Sequence, residues 1–390
     1  MRHTVDLSEN APWKERFRAS SIRTSCIALH APTRGLIANN ASGSLQWYAW
    51  DVPSGNLRQI TRTPGGHPMH LTLSANGRYI YYLRDQQGNE IGHFVRAPYD
   101  GGEPEDLTPE LPSYSASSIV VSDSADRLAF IAARDNRFYV YCMEQHADGA
   151  LDPARLIYES GRMIHGVSLS ADGRVLVIAS SERSGRFEFD LLAFDTTTGA
   201  QIASLCEPDG NSLELGPASH NPADSRFLAT TTRSGIERLL IWDARSGART
   251  DLDLPDAPGA MSPFDWSPDG RAILFSTVDK AEARLYVHSL VGGETRHVDY
   301  GSGKCATGHR PALGFFPVVR WPASAGMAGC AQREWAFPYH SFHARRPYGS
   351  ADEHLLGASA GVAGPWFRLS LFELSRVHHL RARLRAQDMG

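Results

Sequence analysis

The sequence predicts an all-β chain folded as a β-propeller, with six recognisable four-stranded blades or an incomplete seven, and three observations support this. One short template recurs six times, as "APTRGLIA" (31–38), "ANGRYIYY" (75–82), "SADRLAFI" (124–131), "ADGRVLVI" (171–178), "ADSRFLAT" (223–230) and "PDGRAILF" (268–275). Its arginines, Arg34, Arg78, Arg127, Arg174, Arg226 and Arg271, follow one another at intervals of 44 to 52 residues. A second turn glycine (Gly55, Gly102, Gly149, Gly199, Gly247, Gly293) comes 21 to 25 residues after each arginine. Thirdly, the runs between these turns, such as "YIYYL", "VLVIAS" and "LLIWD", are β-branched and aromatic, and too short for helices. A four-strand unit repeated every ~40–50 residues is how a propeller blade is written.

Within a unit the elements follow in a set order. An inner strand ("LTLS", "VSLS", "FDWS") runs into a turn of the "SPDGR" kind. There an Asp or Asn accepts local backbone hydrogen bonds and Gly takes the left-handed conformation. The arginine opens the second strand. A polar link follows: "NNASGSLQ", "RDQQGNE", "ARDNRF", "SERSGRFEF", "TRSGIERL" and "VDKAEARL" occupy this slot in successive units. The third strand ends in turns such as "WDVPSG", "FDTTTG" and "WDARSG", and the fourth closes the blade. Each blade packs on the one before and the one after, so both faces are apolar and simple alternation is weak.

Bulk properties narrow the function classes. The 390 residues are 42% hydrophobic and 21% charged, ordinary for a soluble globular chain. A formal charge of -4 provides no global attraction to nucleic acid or anionic membranes. No apolar run is long enough to span a bilayer, and "MRHTVDLSENAPWKERF" lacks the apolar core of a secretory signal. Five scattered cysteines without a C-x-x-C pair indicate neither a disulfide framework nor a zinc site, so a cytoplasmic location is expected.

"APWKERFRA" near the start, the repeated "SPDGR" turns and "LRDQQGNEIGHFVRAPYDGGEPEDLT" resemble the amino-terminal propeller of prolyl-oligopeptidase-type serine peptidases, in particular the acylaminoacyl-peptidase-like branch. The likeness covers roughly residues 10–300, the domains read as a lead-in over 1–21 and the propeller over 22–300, and the turn motif is shared with TolB-like propellers. The resemblance implies a non-catalytic cap that restricts access to an α/β-hydrolase site, whose Ser, Asp and His lie in a carboxy-terminal domain.

Residues 301–390 do not continue the pattern. Arg320 falls where a seventh arginine belongs, but "RWPASAGM" sets a proline into the expected second strand. This tail has no Ile or Asn and carries eleven Lys+Arg against five Asp+Glu, leaving -10 on residues 1–300. Such a break usually marks a domain boundary or a disordered tail, and translation out of frame from a gene that once encoded a seventh blade and a hydrolase is a third reading. "GASAG" (357–361) has the form of a nucleophile elbow around Ser359, with Glu373, His378 and His379 following in triad order. No β-branched run precedes it and only 29 residues follow Gly361, too few for a hydrolase sheet, so Ser359 is rejected as a nucleophile. From Trp366, the spacing of Phe367, Leu371, Leu374 and Val377 fits a basic amphipathic helix.

Two clusters remain as candidates. Asp85, Asn89, Glu90 and His93 make the second unit's link denser in polar groups than its five counterparts, and contact with a partner domain is the role expected beyond the turn itself. His67, His70 and His165 stand in loops that lead into inner strands, at the mouth of the central channel, with Glu214 in a similar loop. Neutral imidazoles there suit a metal, but matching carboxylates are lacking, and neither metal nor cofactor is expected. The expected function is the substrate-gating cap of a peptidase, inactive by itself. The alternatives are a stand-alone TolB-like scaffold that binds a protein or peptide across one face and, more remotely, a metal-dependent propeller enzyme. If a seventh blade is missing, ring closure is imperfect and exposed edges invite association.

Overall fold

In blades 2, 4 and 6 the repeat arginine leads into the second strand because the turn before it is closed by its own side chains. Ser170 Oγ donates to Asp172 Oδ1 (2.5 Å), which accepts the Arg174 amide (3.0 Å). Ser74 with Asn76, and Ser267 with Asp269, repeat the arrangement at 2.8 and 2.6 Å. The glycines that follow, Gly77, Gly173 and Gly270, sit at φ of 68°, 68° and 67°, where a Cβ is strained.

The computed structural model describes residues 6–8, 11, 14, 22–63, 70–86, 88–298, 318–319 and 335–336. His67, Ser359 and the expected carboxy-terminal helix lie outside the described residues, as do nearly all of the lead-in and the tail. Six antiparallel four-strand units follow in order. Blade 1 is β1 (Ile22–Ala28), β2 (Ala31–Asn39), β3 (Gln46–Asp51) and β4 (Leu57–Gln59). Blade 2 is β5 (Thr72–Leu73), β6 (Tyr79–Asp85), β7 (Ile91–Pro98) and β8 (Glu105–Asp106). Blade 3 is β9 (Tyr114–Val121), β10 (Arg127–Arg134), β11 (Arg137–Glu144) and β12 (Arg155–Ser160). Blade 4 is β13 (Ile164–Leu169), β14 (Val175–Ser180), β15 (Asp190–Asp195) and β16 (Gln201–Leu205). Blade 5 is β17 (Leu213–Ala218), β18 (Arg226–Thr231), β19 (Arg238–Asp243) and β20 (Arg249–Asp251). Blade 6 is β21 (Ala260–Trp266), β22 (Ala272–Asp279), β23 (Glu282–Ser289) and β24 (Thr295–Val298). Beyond these, β25 (Val318–Val319) pairs antiparallel with β26 (Trp335–Ala336). Among the described residues no helix is long and apolar enough to cross a membrane.

Blades 2 and 3 depart from the simple scheme by sharing one continuous sheet. The fourth strand of blade 2 is only two residues long and covers Val95 and Arg96, leaving the start of β7 open. The incoming β9 takes that place, pairing Ser115 with Ile91 and Tyr114 with Gly92.

Alternate residues of one strand serve opposite neighbours. In β10, Leu128 and Phe130 join a cluster with Tyr81 and Phe94 of blade 2, while Ala129 and Ile131 pack with Leu176 and Ile178 of blade 4. In β14 the partition repeats, with Val175 and Val177 meeting Phe227 and Trp242 of blade 5. The period of two is intact, but both phases are apolar, which is why the sequence shows no clean alternation.

Polar clasps supplement this packing, and they account for the repeat arginines of the odd blades. Arg34 of blade 1 donates to the Gly77 carbonyl of blade 2 (3.0 Å), and Arg226 of blade 5 to the Gly270 carbonyl of blade 6 (2.9 Å). Arg127 of blade 3 lies across Gly173 of blade 4 and pairs with Glu144 at 2.7 Å. Outer strands add to this, Arg58 donating to the Tyr99 carbonyl and Arg155 to the Thr196 carbonyl. The even-blade arginines Arg78, Arg174 and Arg271 are exposed. Replacing Gly173 by alanine should therefore cost about 1–2 kcal/mol, from the left-handed backbone alone. A Cβ there would also stand 2.6 Å from Arg127 Cγ. Urea unfolding checks it, and Gly247→Ala, where a Cβ meets nothing within 4 Å, isolates the backbone part.

Candidate functional site: the channel of blades 3 to 6

Inner strands β9, β13, β17 and β21 border a cavity of about 470 Å³, within the usual range for a ligand pocket. Its apolar wall comes from Val120, Val167, Leu215, Pro263 and Phe264, and polar surface makes up the other half. Ser118, Ser168 and Ser262 add hydroxyls, and Glu214, Asp123 and His220 supply the ionisable groups.

At the end where inner strands turn back to second strands, His220 bridges three blades. Its Nδ1 donates to Asp123 Oδ2 of blade 3 (2.7 Å) and its Nε2 to Asp265 Oδ1 of blade 6 (2.8 Å). Asp265 Oδ1 also accepts the Trp266 amide (2.9 Å), and Trp266 Nε1 donates to the Pro217 carbonyl (3.0 Å). Both ring nitrogens face carboxylate oxygens, so the ring is an imidazolium. Burial opposes its charge, but the two carboxylates outweigh that penalty and push the pKa up to about 10. Such a histidine holds its proton throughout neutral pH and cannot serve as a general base. None of the described lining serines is hydrogen-bonded to a histidine. Among the described residues, no group of three or more His, Cys, Asp or Glu is arranged to hold a metal ion.

Glu214 lies near the start of β17, six residues before His220. At a strand rise of ~3.3 Å per residue the two stand roughly 15–20 Å apart along the channel. His165, the second residue of β13, is exposed, with its ring 5.8 Å from Phe189, and its neighbour Gly166 lines the cavity. His70 precedes β5 at φ 54°.

The cluster in the second blade's link is placed elsewhere, on the β6–β7 hairpin. Asp85 accepts the Glu90 amide (2.9 Å), and Asn89 Oδ1 accepts those of Gln86 (3.2 Å) and Ile91 (3.0 Å). Glu90 takes a positive φ of 59° that closes the turn. His93 points along β7 to Asp106 of β8 (Nδ1 to Oδ2, 2.8 Å) and stacks on Tyr114 at 5.5 Å, at the seam of blades 2 and 3.

Sequence reasoning missed Asp123, His220 and Asp265, although a signal was present. The serine that opens each turn lies four residues before its arginine in blades 2, 4 and 6, but five before in blade 3 and seven in blade 5. Those two longer turns carry Asp123 and His220 directly after the serine, where Ala75, Ala171 and Pro268 stand in the others.

No protein-family profile matches the chain. It is similar to the Tol-Pal system protein TolB of Aromatoleum aromaticum, 28% identical over 149 residues, which is 33% of this chain and 33% of that one. TolB of Dechloromonas aromatica is 26% identical over 126 residues, 29% of either chain. The chain thus matches about a third of the length of these curated relatives. In structure it is similar to an oligogalacturonate lyase in complex with manganese (TM-score 0.54, 11% identity, 71% of this chain and 78% of that). It is also similar to a puromycin hydrolase (0.54, 16%, 72% and 46%) and to a puromycin-hydrolysing peptidase of Mycobacterium tuberculosis (0.51, 14%, 70% and 45%). The fold is a β-propeller. It is shared with peptidase propeller regions, and identities this low speak for fold alone.

Proposed function

We propose that the chain is a non-catalytic propeller that binds a protein or peptide segment in the channel of blades 3 to 6. The observation that carries this reading is the double carboxylate hold on His220. It fixes the one histidine among the described lining residues as a spent cation, leaving a walled, partly apolar groove whose imidazole is not a base for its serines. The partial matches to a component of the Tol-Pal system favour a scaffold of TolB type. A second reading, the gating cap of a peptidase, is favoured by the puromycin-hydrolysing enzymes, of whose chains this one covers 46% and 45%. In both readings the propeller holds a peptide and leaves it intact.

The test is to incubate the full chain with a pool of unstructured peptides and analyse bound and free fractions by mass spectrometry. The expected result is recovery of intact peptides, with retention lost on Ser262→Trp, which fills the cavity from an exposed position on β21. Turnover of the pool, above all a rate lost on Ser359→Ala, would overturn the reading, as would retention unchanged by Ser262→Trp.

A further inference from the structure

We infer that the channel selects an uncharged peptide segment carrying an asparagine or glutamine, whose carboxamide is received by the Ser168 hydroxyl, with Ser118 and Ser262 taking neighbouring polar groups of the peptide; this rests on the binding role proposed above.

Three of the four inner strands place a serine on the cavity: Ser118 on β9, Ser168 on β13 and Ser262 on β21. The serines that directly follow these strands are spent locally, Ser122 on Asp126 (3.0 Å), Ser170 on Asp172 (2.5 Å) and Ser267 on Asp269 (2.6 Å). The three lining hydroxyls, by contrast, have no hydrogen-bond partner among the described residues. Ser168 decides the matter, because it is only 8% exposed. Buried hydroxyls are normally paired, and an exception calls for a cause. Its oxygen is not one of the sealed, unpaired atoms of the interior, such as Ser117 Oγ and Ser276 Oγ, so its remaining surface opens on the cavity it lines. On the fourth strand, β17, the Pro217 carbonyl already accepts Trp266 Nε1 at 3.0 Å.

The charged groups of the wall are already engaged. His220⁺ is shared between Asp123 and Asp265, Glu214 has its own interaction within the protein, and no lysine or arginine is among the described residues that line the cavity. A charged occupant would leave water for a wall whose counter-ions are spent, which is costly. A neutral one meets hydroxyls, and each hydroxyl both donates and accepts. A carboxamide matches that, since it carries donors and an acceptor on one planar group, while Val167 and Leu215 accept the methylenes that lead to it. An occupant without polar groups would strip solvent from the hydroxyls and return nothing. A folded partner would not enter a volume of about 470 Å³, whereas part of an unstructured segment would.

Four alanine heptapeptides test this, each with an amino-terminal dye, an amidated carboxy terminus and glutamine, methionine, glutamate or lysine at the centre. They are titrated against the full chain by fluorescence anisotropy. The expected order is glutamine over methionine by about tenfold, with glutamate and lysine weaker still, because a site with hydroxyls to satisfy rejects an analogue that cannot pair with them. Glutamine should bind equally at low and high salt, as no ion pair contributes. Ser168→Ala should bring glutamine down to the methionine level while leaving methionine binding and the melting temperature unchanged. Ser168→Thr, which keeps the hydroxyl, should retain the glutamine preference. Equal binding of glutamine and methionine, abolished by Ser262→Trp, would sink the carboxamide selection and leave the channel as the binding site, and tightest binding of lysine or glutamate would sink it too. Binding of none, in a chain that still melts cooperatively, would sink both readings. A glutamine preference that survives Ser168→Ala would overturn the role of Ser168.

Discussion

His220→Ala is expected to destabilise the propeller by about 3–5 kcal/mol, the cost of breaking a buried charge pair by removing one partner. The substitution leaves Asp123 and Asp265 facing one another across the vacated site with no cation between them. Both are three-quarters buried, at 23% and 25% exposure, so water does not fully restore their solvation. The damage spreads beyond one blade, because the imidazolium ties blade 5 to blades 3 and 6 at once. His220→Asn, which keeps hydrogen-bonding capacity without the charge, should recover only part of the loss. The pH dependence has a definite sign. The folded-state pKa near 10 lies above the ordinary value of about 6.5, so this stabilisation is complete below about pH 6.5. It is lost as pH rises through 10. Urea midpoints of wild type and His220→Ala should therefore converge progressively between about pH 6.5 and pH 10. A gap that stays constant across that range would show that the ring contributes by packing alone.

Glu207→Ala should be the next most damaging single change, at about 3 kcal/mol, from the loss of charged hydrogen bonds at a buried carboxylate. The side chain has no exposed surface, yet it lies just beyond β16, where the chain passes from blade 4 to blade 5. Thr231 Oγ1 donates to it at 2.6 Å, Arg249 at 2.8 Å and Arg233 Nε at 2.8 Å. Burial works against its charge, but Thr231 and the two guanidinium groups outweigh burial and hold the carboxyl below its ordinary value. A depressed pKa reverses the sign found for His220. The contribution is present above the unfolded value near 4.3 and is lost as pH falls through the folded value. Arg249 keeps Asp251 as a partner and Arg233 is half exposed, which limits the loss. Thermal melts at pH 7 and pH 3 check this: the wild-type advantage should be large at pH 7 and smaller at pH 3.

The sequence revealed the repeat and hid the site, and the two outcomes have one physical origin. Turn chemistry is local, so "ADGR" and "PDGR" announce themselves by the Asp, the Gly and the strand that must follow. The apolar interfaces between blades were legible as composition only, since Leu128 and Ala129 face opposite neighbours and no single period marks either face. Asp123, His220 and Asp265 are separated by 97 and 45 residues along the chain. Their meeting depends on ring geometry that no window of sequence contains. In the opposite direction, the dense run Asp85–His93 attracted attention through residue type. The hydrogen bonds of Asp85 and Asn89 go to the amides of their own hairpin, and His93 goes to the seam with blade 3. Polar density at a turn follows from the backbone's need for partners as readily as from a ligand's.

A channel that binds and does no acid–base chemistry requires His220 to be a fixed cation. The most direct test is the protonation state of the ring, read by nitrogen-15 NMR of histidine-labelled full chain, with His220→Gln assigning the signals. Two protonated ring nitrogens persisting to pH 9, with slowly exchanging protons, are the predicted result. A single tautomer that titrates near 6.5 would contradict it, leaving an available base in the cavity that Ser168 and Ser262 also line and reopening the channel as a catalytic site.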